Sequence, residues 1–268
     1  MNKKLNSYVN YLLDNNPSPF CDYIICKELL KLDEKAVQDS YEWAKRFKLY
    51  TELYDEQFPD GSWGDFYPMS TKPEVRKKHK VTGRWTIKRL HDLSLDASDE
   101  MVAKMLDLCR KIIRGEAPIT RDTKHPQGAY DVLYDFCPDD EIVAHIKDEK
   151  IISEDKQRAF MIYKWDHAPW DCCKLSDLIP PDSNIFATWI RGLEELQDNS
   201  LFGEFMEPEV SPYLYSLCER LINPRDNIPI HVTRYYGKVG QYSEEWKNND
   251  TKKKDLLLRI IRILNKCD

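Results

Sequence analysis

The chain has 268 residues, of which 41% are hydrophobic and 32% charged, and a formal net charge of −6. Such a composition suits a soluble globular protein with ample core, and its acidic balance argues against non-specific nucleic-acid binding. Nine glycines are few for this length, and neither G-x-G-x-x-G nor G-x-x-x-x-G-K-[ST] occurs, so glycine-rich phosphate loops are not expected.

The N-terminus carries Lys3 and Lys4 but no apolar core or small-residue cleavage site, so no secretory leader is expected. No run approaches the ~20 apolar residues that a membrane span requires. A cytoplasmic location follows as the expectation. The eight cysteines are scattered and mostly flanked by apolar residues, which predicts buried free thiols rather than a disulfide framework.

Helical periodicity dominates the chain, and alternating strand patterns are nearly absent. A first helix is predicted over Lys4 to Leu13, broken by Asn16-Pro17-Ser18-Pro19. A second covers Cys21 to Leu30. A third runs from Asp33 to Tyr54, with Val37, Tyr41, Ala44 and Phe47 on one stripe. Then comes Gln57-Phe58-Pro59-Asp60-Gly61-Ser62-Trp63-Gly64. Pro presets φ, Asp bonds its own backbone and Gly accepts positive φ, so the segment is a turn. Gln57 can bond the backbone of a neighbouring loop, and Trp63 can lay its ring across the end of the next helix and keep those bonds dry. The segment therefore reads as a clasp between helical hairpins.

Val81 to Leu93 and Asp99 to Arg114 form the next helical pair, with Ser98 as expected N-cap and Gly115 and Pro118 as closure. Further helices are predicted over Tyr130 to Phe136, Asp139 to His145, Glu154 to Tyr163, Asn184 to Leu196, Val210 to Leu221 and Asp250 to Leu264. Gln197 to Phe205 echoes the first clasp, with Gln197 and Phe202 in the places of Gln57 and Trp63. No sharp linker is evident, so residues 1–268 are read as one all-α domain. About a dozen helices with short connections suit a toroid or solenoid better than a four-helix bundle.

The segment Q-x-x-D-G-S-W-G resembles the QW motif of the terpene cyclase and protein prenyltransferase superfamily. Thr86 to Cys109 is similar to the helix–turn–helix that follows such motifs in bacterial squalene-cyclase-like proteins, and the N-terminal NPSPFCDYIICKELLKLDEKAVQDS resembles their leading helices. The resemblance covers the N-terminal half best. It implies an α/α toroid of inner and outer helices, and a concave centre able to hold isoprenoids.

The superfamily's acid motifs are missing. Neither D-x-D-D, which protonates alkenes, nor D-D-x-x-D, which binds magnesium, occurs. Asp131 and Asp135, four apart on one helical face, and Asp140 at a helix start are the remaining candidate acids. Prenyltransferases hold zinc on Asp-x-Cys and a later His, and Asp171, Cys173 and His231 are the counterparts here, although a structural role suits these cysteines better. Trp85, Trp165, Trp170 and Trp189 are candidates to line an apolar pocket, with core packing as the alternative. The last helix sets Leu256, Leu257, Ile260, Ile261 and Leu264 against Arg259, Arg262 and Lys266. It could lie on a membrane surface or dock on the core. The expected function is binding of a hydrophobic, isoprenoid-like ligand or a protein partner without catalysis and without a cofactor. The alternative is an isoprenoid-processing enzyme, either a terpene cyclase or a zinc-dependent prenyl transferase, with a divergent active site.

Overall fold

A computed structural model describes residues 1–63, 83–117, 127–143, 178–195, 206, 209–231, 242–243 and 248–267. The described residues are helix, turn and loop, with no strand among them. The helices with defined bounds are α1 (Lys3–Asp14), α2 (Pro19–Ile24), α3 (Glu34–Ala44), α4 (Lys48–Glu56), α5 (Gly83–Asp92), α6 (Glu100–Ile113), α7 (Gln127–Phe136), α8 (Phe186–Glu195), α9 (Val210–Ile222) and α10 (Asn249–Asn265). The all-α class expected from periodicity is therefore observed. The helix expected over Glu154 to Tyr163 lies outside the described residues. Among the described residues no helix is long and apolar enough to cross a membrane.

Contacts divide the chain into two compact units. Unit 1 combines Met1–Ala44 with Ile152–Asp268, and unit 2 is Lys45–Ile151.

In unit 1, the Asn2 carboxamide oxygen accepts from the backbone N–H groups of Lys4 and Leu5, capping α1. Asn16, at φ 53°, turns the chain after that helix. Ser18 caps α2, and Pro19 occupies its first position, where a missing N–H costs nothing. The helix then widens into one π-helical turn, Ile25–Leu29, closed by the bond from Leu30 N–H to the Ile25 carbonyl (2.9 Å). Helix α10 packs against α1 and α9, which also touch each other. It is buried almost all round, from Asp255 to Leu264. Of the three basic positions set opposite the apolar side, Arg259 is buried, Arg262 half-buried and Lys266 exposed. Arg259 is fully buried, which becomes tolerable because a carboxylate, Glu194 on α8, meets its guanidinium. Of the two readings of this helix, the docked one describes unit 1.

A correction falls at the boundary of the units, since α3 ends the first segment of unit 1 and α4 lies in unit 2. The helix expected over Asp33 to Tyr54 is two helices, α3 and α4, separated at Phe47, whose backbone is extended at φ −93°, ψ 153°. No Pro or Gly marks the break. Burial explains it instead: α3 buries Ser40 and Ala44, whereas α4 buries Tyr50 and Leu53. In one continuous helix Tyr50 would lie about 240° around from Ala44, at roughly 100° per residue, so one stripe could not serve both.

Helix α6 packs on α7, and the His91 ring of α5 lies 4.2 Å from the Phe136 ring of α7. The N-cap of α6 is Asp99 rather than Ser98. Ser98 is occupied by an Asx-type turn, with its N–H and hydroxyl both donating to Asp96 Oδ1, which leaves the next residue to cap.

Candidate functional site

The clasp is built from a turn closed by its own hydrogen bonds. Gly61 N–H donates to the Phe58 carbonyl (2.9 Å), and Phe58 N–H donates to the Ser62 carbonyl (2.8 Å). Asp60 Oδ1 accepts from both the N–H and the hydroxyl of Ser62, at 2.9 and 2.8 Å. Gly61 takes φ +91°, and a Cβ there would sit 2.4 Å from the Lys104 carbonyl oxygen of α6. Glycine is required twice over, by conformation and by close approach. Gly61→Ala is therefore expected to cost about 2–3 kcal/mol, read as a lower denaturation midpoint, because the obstacle is backbone that cannot swing aside.

From the start of this turn Gln57 Nε2 donates to two carbonyls, Gly61 at 3.0 Å and Met101 at 2.8 Å. One amide thus ties the turn to the first turn of α6. Trp63 is 2% exposed, and its indole N–H donates to the Leu53 carbonyl at 2.8 Å. The location of that carbonyl matters. The last four carbonyls of a helix lack N–H partners from their own helix. Gln57 N–H, which would serve Leu53 in a continuing helix, bonds the Tyr54 carbonyl instead. The indole fills the gap at the end of α4, the helix before the turn rather than the next one, and the carbonyl Gln57 reaches at Met101 is in a helix rather than a loop.

Two further side chains complete the assembly, and neither was singled out from the sequence. Asp99 is buried, with Oδ1 accepting from Met101 and Val102 N–H at 2.8 and 3.2 Å. Its Oδ2 accepts from the Tyr50 hydroxyl at 2.8 Å. The N-terminus of α6 is thus held by Asp99 from within and by Tyr50 and Gln57 from α4 and the turn. The signal for Asp99 was present in Asp99-Glu100 before an apolar run, but adjacent Ser98 offers the same capping chemistry.

The candidate acids divide. Asp140 is committed to structure: Arg110 Nε and a terminal guanidinium nitrogen both reach its Oδ2 at 2.9 Å, and its Oδ1 accepts from Ile142 N–H at 3.0 Å. Asp140→Asn keeps the helix-start bond and weakens the ion pair, with an expected loss of about 1 kcal/mol in denaturant titrations. A lost turnover at unchanged stability would instead make Asp140 a chemical residue. Asp131 and Asp135 both lie on α7, where Asp135 is exposed and the Asp131 side chain is outside the described residues.

The aromatic and metal candidates are mostly not described. Trp165, Trp170, Asp171, Cys173, Gln197 and Phe202 lie outside the described residues, as does the side chain of Trp85 on α5. Trp189 is fully buried, 5.9 Å between centroids from both Phe186 and Tyr213, the latter edge-on. These contacts fit the core packing given as the alternative for this residue. His231 is exposed, and its backbone N–H donates to the Pro181 carbonyl at 2.8 Å. Among the described residues no group of three or more His, Cys, Asp or Glu could hold a metal ion. Burial pushes the Cys109 thiol up to about 12 and raises Cys21 and Cys218 strongly as well. Burial thus disfavours the thiolate form of all three.

Unit 1 holds a second polar cluster that sequence reading missed. Asp255 is fully buried on α10. Its Oδ2 accepts from Tyr242 and Ser243 N–H at 2.9 and 3.1 Å, and its Oδ1 accepts from the Ser243 hydroxyl at 2.6 Å and the Cys21 thiol at 3.6 Å. The Tyr242 carbonyl accepts from the Ser18 hydroxyl at 2.8 Å. Arg262 forks onto Glu28 at 2.8 and 2.9 Å and donates to the Tyr242 hydroxyl at 2.8 Å. The Arg259 guanidinium lies 4.8 Å from the centre of the Tyr242 ring. The one acid between Lys252-Lys253-Lys254 and Leu256-Leu257-Leu258 was the only hint of it, and acids near helix starts have blander explanations.

No protein-family model, no curated protein and no solved structure matches the chain.

Proposed function

We propose that the chain is a squalene-cyclase- and prenyltransferase-like helical-repeat scaffold. It binds an apolar, isoprenoid-like molecule or a protein partner in a concave centre, without the acid chemistry of the cyclases. The observation that carries this reading is the Gln57–Trp63 clasp, in which a turn amide reaches Met101 while an indole covers Leu53. That is the geometry needed to join successive helical hairpins in a ring or solenoid. Asp140 adds support, since Arg110 and the Ile142 N–H already engage both of its carboxylate oxygens.

The test uses the purified full chain with farnesyl diphosphate, geranylgeranyl diphosphate and squalene. All three should be returned unchanged by mass spectrometry, and an apolar ligand should raise Tm in a concentration-dependent manner. Product formation would overturn the non-catalytic reading in favour of an enzyme. Failure of every apolar compound to stabilise the chain, with none co-purifying, would leave a protein as the occupant.

A further inference from the structure

We draw no further inference here: the strongest candidate, the buried cluster of Asp255, Arg259 and Arg262 on α10 of unit 1, already holds Tyr242, Ser243, Glu194 and Glu28, so it belongs to the polar framework described above and nothing in the structure shows what else it would bind.

Discussion

Trp63→Ala is expected to lower stability by about 3–5 kcal/mol, the range for removing a large buried aromatic. Two losses combine in that figure. The ring is 2% exposed, so its removal opens a void that the surrounding helices fill only in part. The indole N–H also goes, leaving the Leu53 carbonyl at the end of α4 without the donor that satisfies it. Trp63→Phe separates the two terms. It keeps most of the apolar volume, so the residual cost should fall to about 1–3 kcal/mol, the penalty for one unsatisfied buried acceptor. Chemical denaturation followed by far-UV circular dichroism gives both numbers. An unchanged midpoint for Trp63→Ala would show that the ring covers nothing of consequence, and the resemblance to a QW clasp would lose its physical basis.

Asp255→Ala should be comparably damaging, at about 3–5 kcal/mol, through a different mechanism. The side chain contributes little apolar area, but two backbone N–H groups and the Ser243 hydroxyl end on it. Each buried donor left without an acceptor costs about 1–3 kcal/mol, and the hydroxyl can rotate to find another. Asp255→Asn distinguishes charge from hydrogen bonding. An asparagine can turn its oxygen toward the two amides and offer its NH2 to the Ser243 oxygen, so less than half of the alanine loss is expected. If asparagine were as harmful as alanine, the negative charge itself, four positions before the buried Arg259 on α10, would be the stabilising element.

How much of this was legible depended on whether a residue's role was local. The helix class and most helix ends followed from periodicity and from local breakers such as Pro17, Pro19 and Gly115, which act within one turn. The clasp was legible because Pro59-Asp60-Gly61 forces a turn and because Gln57 and Trp63 flank it at short range. The α3–α4 break was not legible, since nothing in Lys45-Arg46-Phe47 disfavours helix. Only the differing burial of Ala44 and Tyr50 places it there. The Asp255 cluster was hidden for a related reason. Its partners Cys21 and Ser243 are separated from it by 234 and 12 residues, and no spacing rule connects such distant positions. Trp189 shows the converse case, because a tryptophan in the sequence can be either a pocket wall or a core contact, and only its ring contacts with Phe186 and Tyr213 add to the choice.

Lys254 of α10 donates to the Asn15 carbonyl at the end of α1, across 239 residues. During synthesis the opening 44 residues of unit 1 therefore emerge long before the helix they wrap, and they must wait with apolar faces open to water. Residues 45–151 face no such delay, since their partners leave the ribosome together. Closing the longer loop carries the larger entropy cost, so the order of assembly is set by topology: the inserted middle can condense first, and the outer unit closes last.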